Sequence, residues 1–404
     1  VVFAQVIHEQ SVKDTCSYND LALRIDEKSG GGVSRQAVGK RMDEQCVQFL
    51  EAILARAFSR RFEDTDEAPV RSSGRYRRVL VQDSTVVRLP VWLFETYSGV
   101  ANAHAKVCNA RIQVVYDLIA GAFLSFKVDP YSKNDQAAAP ELQLLPGDLV
   151  LRDRGYLQSE EIQRHIDAGA DCIYRHKGNT TYLDPATGRP IDLLDMLRRQ
   201  GSIDMDVCMN NAERTPVRLV AAPVAEEAAN LRRMKLKRDT NGHAPSAQLL
   251  ALASWAIFIT TIPRQQATFT QLLDIYGLRW RIEIIFKAWK SNLKLDRIHK
   301  VSECQFRALM TARMTMIVLC TNLVFHAVWK RVAEHYGRHL SLLKATKYLA
   351  DSISRMTQAI EALCTTRGKH PVLDRLARYC TYDKRKRENF SQKWQRWMQE
   401  WALS

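Results

Sequence analysis

Residues 1–70 place apolar positions at helical spacing and read as mostly helical. Within them, Asp20-Leu21-Ala22-Leu23-Arg24-Ile25 is followed by Gly30-Gly31-Gly32. Val33-Ser34-Arg35-Gln36-Ala37-Val38-Gly39-Lys40-Arg41-Met42 comes next. A helix, a glycine turn and a second helix opened by Ser34 as N-cap are predicted. From residue 71 the pattern changes. A basic stretch, Arg71 to Arg78, holds Gly74 and reads as a linker. Short β-branched runs then recur: Val79-Leu80-Val81, Ile112 to Val115, Phe123 to Val128, Leu149-Val150-Leu151 and Cys172-Ile173-Tyr174. Helical segments are expected between them, near Gln136 to Leu145 and near Glu160 to Ala168. Strands interleaved with helices imply an α/β domain with a mixed sheet. Over residues 178–265, turn signals such as Asp184-Pro185 and Thr187-Gly188 separate short apolar stretches, including Val217 to Val220 and Ala256 to Thr260. This segment reads as a β-rich insertion. From Phe269 onward the periodicity is helical to the end.

One helical segment, Tyr276 to Lys290, has an unusual polar face. At 3.6 residues per turn, Tyr276, Arg279, Glu283, Lys287 and Lys290 share one stripe. Ile275, Leu278, Ile282, Ile285, Phe286, Trp289 and Leu293 fall on the remaining arc and are expected to face a core. Every amphipathic helix has a polar face, and Glu283 with Lys287 at i,i+4 is also an ordinary helix-stabilising pair.

Composition narrows the partners. The 404 residues suffice for two or three domains. Charged residues make up 25% and the hydrophobic set 46%, which fits a globular chain. No uninterrupted apolar run approaches the roughly 20 residues of a membrane span, so no membrane partner is expected. The first residues lack the basic start of a signal peptide, and the absent initiator Met suggests a start further upstream. With 59 basic and 44 acidic residues the net charge is +15, which favours a polyanionic partner such as nucleic acid. The nine cysteines are dispersed, as expected of unpaired thiols in a reducing, cytoplasmic compartment. Neither they nor the ten histidines show zinc-ligand spacing. Arg35, Gln36, Lys40 and Arg41 would give the second helix of the N-terminal pair groups suited to a major groove. The same pair could be an ordinary helical hairpin. Arg232-Arg233-Met234-Lys235-Leu236-Lys237-Arg238 and Lys384-Arg385-Lys386-Arg387 are dense basic runs, either solvated or placed on phosphates.

The spacing Tyr-x2-Arg-x3-Glu-x6-Lys, met here by Tyr276, Arg279, Glu283 and Lys290, resembles the signature of bacterial insertion-sequence transposases of the insertion-sequence-four type. Two further segments resemble that family in order. Gln82-Asp83-Ser84-Thr85 looks like its first catalytic aspartate and Arg152-Asp153-Arg154-Gly155-Tyr156 like its second, both expected at strand ends. Taken singly, each aspartate could instead be a cap or turn residue. The resemblance covers roughly residues 20–320.

It implies a ribonuclease-H-like catalytic core of α/β class, with a helical DNA-binding domain over 1–70 and the core's first part over 71–177. The β-rich insertion over 178–265, the catalytic Glu helix over 266–300 and a helical C-terminal region over 301–404 complete the expected division. It also implies that Asp83, Asp153 and Glu283 hold two Mg²⁺ or Mn²⁺ ions. Hard divalent ions take oxygen ligands, and such a pair activates a nucleophile and stabilises a leaving oxygen. Tyr276, Arg279, Lys287 and Lys290 would contact phosphates, with Arg175 and Arg154 as lesser candidates. Trp255 would stack on a base drawn from the duplex, or else lie in the core on a buried strand. The implied partners are the inverted-repeat ends and target DNA, gripped by a homodimer on the bacterial nucleoid, with a hairpin intermediate. A regulator that binds DNA without cutting it, and a structure-selective nuclease, are the rival readings.

Overall fold

The computed structural model describes residues 1–13, 16–59, 75–98, 107–133, 138–239, 244–298, 301–365, 370–382, 392–393 and 396–397. In chain order the elements begin with α1 (Val2–Ser11), α2 (Tyr18–Ser29), α3 (Arg35–Arg41), α4 (Glu44–Ser59), β1 (Arg78–Arg88), β2 (Asn109–Asp117), β3 (Ala122–Pro130) and β4 (Asp148–Arg152). There follow α5 (Ser159–Asp167), β5 (Asp171–Arg175), β6 (Tyr182–Leu183), α6 (Leu193–Gln200), β7 (Ile203–Met209), β8 (Pro216–Pro223), α7 (Glu226–Asp239), α8 (Ala247–Leu252) and β9 (Trp255–Thr260). The rest is helical: α9 (Phe269–Leu278), α10 (Trp280–Asn292), α11 (Glu303–Val318), a π-helical stretch Leu319–Phe325, α12 (His326–Tyr336), α13 (Leu342–Ala350), α14 (Ile353–Thr365) and α15 (Pro371–Tyr379). These form a mixed α/β fold in two compact units. One comprises 1–71, 83–140 and 280–393, the other 72–82, 141–279 and 394–404.

In the first unit the N-terminal helices form as the pattern predicts. Gly30 leaves α2 at φ +66°, a conformation in which a side chain would be strained. The Ser34 hydroxyl then accepts from the Ala37 amide at 3.2 Å to cap α3. α1 and α4 pack against α11. Arg313 of α11 donates to the carbonyls of Ser11 and Arg297, and Arg307 pairs with Glu44 at 2.7 Å and Glu51 at 3.3 Å. The continuous run Glu303–Tyr336 is long and apolar enough to cross a membrane by length and composition. Polar residues, Arg313 among them, interrupt its apolar run, so the sequence shows no unbroken apolar span. With 83% of its most apolar window buried inside the protein, it is a core helix of this unit. β2 and β3 form an antiparallel hairpin, and Asn322 bonds both backbone groups of Phe123 at 2.8 and 2.9 Å. α10 is fixed to that hairpin by aromatic packing. The Trp289 ring lies 4.9 Å from Phe123, 5.4 Å from Phe126 and 5.3 Å from Phe286.

In the second unit the strand order is β1-β4-β5-β9-β8-β7-β6. β1, β4 and β5 run parallel, with α5 as the crossover between β4 and β5, and the remaining neighbours are antiparallel. All the strands expected from β-branched runs are present. Two expectations need correction. Residues 139–145 are not helical; Pro140 lacks a donor and Pro146 disfavours helix in the residue before it. Gln136 itself lies outside the described residues. The segment 178–265 is also less β-rich than its turn signals suggested, since α6, α7 and α8 alternate with its strands. The basic run 232–238 belongs to α7, and its Leu231 and Met234 are exposed.

Candidate active site

Adjacent parallel strands set the two aspartates. The register of β1 on β4 runs from Arg78↔Asp148 to Gln82↔Arg152. Asp83 and Asp153 are the residues immediately after that last pair. Asp153 leaves β4 into a single 3-10 turn, as expected for a strand end. Asp83 does not end its strand. β1 continues to Arg88 through Thr85, Val86 and Val87, whose branched side chains favour extended backbone. What ends at Gln82 is only the pairing with β4.

Asp153 is the centre of a polar cluster inside the second unit. The Tyr276 hydroxyl donates to its Oδ1 at 3.2 Å. Burial pushes the Asp153 carboxyl up. The Arg279 guanidinium, the Arg154 amide, Arg175 and the Arg154 side chain outweigh that effect and hold it below its ordinary value. Arg152, just before it, is buried and bonds Glu161 at 2.8 Å and the Tyr174 hydroxyl at 3.1 Å. Tyr276 is itself buried, at 8% exposure, with its ring 4.9 Å from Phe258 and the Arg279 guanidinium 5.6 Å from the ring centre. Burial raises its pKa, so the phenol keeps its proton and remains a donor.

A cavity of about 200 Å³ lies in the same unit. Arg154, Arg175, Arg232, Lys235 and Trp255 line it beside His176 and the apolar Leu236, Leu249, Leu252 and Ile257, so its wall is part cationic and part apolar. Trp255 is half-buried at the start of β9. Its indole N–H donates to the Gly201 carbonyl at 2.7 Å, and its own carbonyl accepts from Arg232 at 2.9 Å. Arg232 and Lys235 are functional candidates that the sequence showed only as part of a charge run. They become specific because one face of α7 turns them toward Trp255.

The helix carrying the signature differs from a straight stripe. α9 ends at Leu278 and α10 begins at Trp280, and Arg279 between them keeps helical dihedrals of φ −53° and ψ −31°. The core arc is as expected: Ile275, Leu278, Ile282, Ile285, Phe286, Trp289 and Leu293 are all buried. Along the stripe, Tyr276 and Arg279 are buried, Glu283 and Lys290 half-exposed and Lys287 exposed. Trp280, 60% exposed at the head of α10, was not singled out by sequence. The available signal was its place between two arginines, off the apolar arc. Arg35, Gln36 and Arg41 all lie exposed on α3.

Among the described residues no group of three His, Cys, Asp or Glu side chains is gathered as an ion-holding cluster. Asp153 belongs to the second unit, and Asp83 and Glu283 to the first. The cysteines are all unpaired, with Cys46, Cys108, Cys172, Cys320 and Cys380 buried.

A model of the transposase DDE domain matches residues 75–320, more than half of the chain. The chain belongs to the DDE transposase family. This transposase is 26% identical over 364 residues to the transposase for insertion sequence element IS231B of Bacillus thuringiensis subsp. berliner, covering 84% of this chain and 76% of that one. The transposase for element IS231C of the same organism is 26% identical over 396 residues, covering 92% and 82%. A solved piggyBac transposase synaptic complex with hairpin DNA aligns at a TM-score of 0.41 and 10% identity, over 96% of this chain and 77% of that one. Membership makes this an insertion-sequence transposase, a DNA-cutting and DNA-joining enzyme of a class that generally depends on divalent metal ions.

Proposed function

We propose that this transposase excises and joins its element by phosphodiester hydrolysis and 3′-hydroxyl attack at Asp83, Asp153 and Glu283. The observation that carries this reading is the register Gln82↔Arg152 on neighbouring parallel strands, which sets two aspartates one step beyond the same rung. Ligands of open α/β sheets bind outside the carboxyl ends of such strands, and β4 ends at Arg152, just before Asp153. The order β3-β2-β1 in one unit and β1-β4-β5 in the other supports a ribonuclease-H-like core. The donor set, three carboxylates, suits hard ions such as Mg²⁺ or Mn²⁺. Two such ions would supply an activated nucleophile and neutralise the leaving oxygen.

The chain's own residues position the DNA. Lys287 and Lys290, with Arg279, hold phosphates of the element's end so that the scissile bond lies in line. The cavity beside Trp255 takes an unstacked base, with Arg232, Lys235 and Arg175 on its phosphates. Base–aromatic stacking contributes about 1–3 kcal/mol. α3 reads the ends through Arg35, Gln36 and Arg41. Two copies bring two inverted-repeat ends together, a hairpin forms when the freed 3′-hydroxyl attacks the opposite strand, and the 3′ ends then attack target DNA.

The test is Glu283→Gln with end-bearing DNA and Mg²⁺. The expected result is retained end binding with no cleavage, since the amide keeps the shape and loses the anionic ligand. Cleavage by the variant would overturn the assignment. Binding without cutting by the unaltered protein, in either Mg²⁺ or Mn²⁺, would favour a DNA-binding regulator. Cutting without joining would favour a nuclease.

A further inference from the structure

His176 follows Arg175 at the end of β5 and takes no part in the cluster at Asp153. Its amide donates to the Ile257 carbonyl at 3.1 Å, which ties the chain to β9 just past the end of β5. Its Nδ1 lies 2.8 Å from the Tyr182 hydroxyl. Its Nε2 is buried and has no hydrogen-bond partner among the described residues. A buried polar atom left in that state is uncommon and costs free energy.

The neighbours decide which nitrogen carries the ring proton. Burial pushes the imidazole down to about 4, so at neutral pH it is uncharged and has one N–H. Tyr182 is 1% exposed, and burial raises its pKa, so the phenol keeps its proton. Were the phenol to accept from Nδ1, its own proton would be buried with no acceptor. The O–H therefore donates to Nδ1, and the ring proton sits on Nε2.

His176 stands between two cavities. One, of about 410 Å³, is lined by Asn179, Thr180 and Gln248 and by a single charged side chain, Asp192, so it does not suit a polyanion. The other is the 200 Å³ cavity of Trp255. Its four cations suit phosphate, and its indole and leucines suit a flat ring. The Trp255 N–H is already spent on the Gly201 carbonyl. Within that lining, Nε2–H of His176 is thus the one uncharged side-chain donor left for the edge of a base.

We propose that His176 reads the base held beside Trp255: its Nε2–H donates to a carbonyl oxygen of that base, so thymine or guanine is preferred there over cytosine or adenine. Thymine O4 and guanine O6 accept, whereas cytosine and adenine carry at the same place an amino group that donates. This inference rests on the reading of the Trp255 cavity as a base site.

The probe is end DNA in a chelator, so that binding alone is read. 2-Aminopurine placed at successive positions locates the extruded base as the one whose fluorescence change on binding is lost in Trp255→Ala. That position is then filled with thymine or 5-methylcytosine opposite an abasic site, which removes base pairing from the comparison. The unaltered protein is expected to bind the thymine end about 5–10-fold more tightly. His176→Asn keeps an amide near the place of Nδ1 for Tyr182 and deletes Nε2; it is expected to bind the two ends alike. His176→Gln, whose amide reaches further, is expected to restore part of the preference. An end with no base at that position should bind His176→Asn as tightly as the unaltered protein. A thymine preference surviving in His176→Asn would overturn the proposal, as would a weakened grip on the baseless end, which makes the histidine a structural residue. If no position depends on Trp255, the base-site reading falls and the proposal with it. A Trp255-dependent position without a thymine preference defeats only the role of His176.

Discussion

Arg218→Met tests whether the second unit depends on a buried guanidinium. Arg218 is 4% exposed. Its fork bonds Asp204 at 2.8 and 2.7 Å, and its Nη1 also reaches the carbonyls of Ile262 at 3.2 Å and Ala267 at 2.8 Å. Those carbonyls lie in the turn leading to the Thr268 cap of α9, the helix that carries Tyr276. Methionine fills the space but donates nothing. Two carbonyls left without this donor cost about 1 kcal/mol each, the low end of the range for buried unsatisfied groups. Asp204 keeps Arg264 at 3.1 Å and its side chain is 38% exposed, so water offsets most of its loss. Its share is about 1 kcal/mol. The sum is about 3 kcal/mol, at the bottom of the roughly 3–5 kcal/mol seen when one partner of a buried pair is removed. That is about a hundredfold in the unfolding equilibrium. With urea slopes of about 1–3 kcal/mol per molar, the transition of this unit should fall by about 1–3 M. The measurement is urea denaturation followed by tryptophan fluorescence. A fall of less than about 1 kcal/mol would show that the turn finds other donors and that the fork is dispensable.

Two further outcomes follow from the site. Asp153 is held below its ordinary 3.8, because burial, which raises it, is outweighed by Arg279 and the Arg154 amide. A carboxylate depressed in the folded state contributes stability above its unfolded pKa, and that contribution is lost as pH falls through the folded value. Arg279→Ala leaves the burial and removes the largest opposing charge, so acid unfolding should begin at higher pH; an unmoved acid limb in circular dichroism would refute the assignment. Lys290→Ala should weaken end binding and reduce the slope of log affinity against log salt by about one, and an unchanged slope would remove Lys290 from the phosphate contacts.

The sequence disclosed most where one local rule decides the outcome. β-branched runs located β1 to β5, and the apolar arc from Ile275 to Leu293 located the buried side of α9 and α10. The signature was legible because its residues sit on one turn-by-turn spacing. What stayed hidden depends on distant partners. Nothing near Arg218 announces Asp204 or the carbonyl of Ala267, and nothing near Tyr276 announces Phe258 or Asp153. A helical wheel assigned Tyr276 to the polar stripe because it scores the hydroxyl, while the ring decides its burial. Pro140 and Pro146 outweighed the helical pattern between them. In the insertion, turn residues are visible in the sequence, but the charged run of α7 shows there only as a solvated stretch or a phosphate contact, without its helix.

The placement of β9 also limits how this transposase can be rebuilt. Residues 178–265 suggest a cassette that could be excised or exchanged, yet β9 lies within them and is hydrogen-bonded along β5 at Ile173, Tyr174 and Arg175. Cutting the cassette out would bare that flank of β5 as a raw row of amides and carbonyls, an invitation to self-association. Trimming is tolerable only at outlying turns such as Asp184 to Gly188, where no backbone of the cleavage machinery is sutured to what is removed.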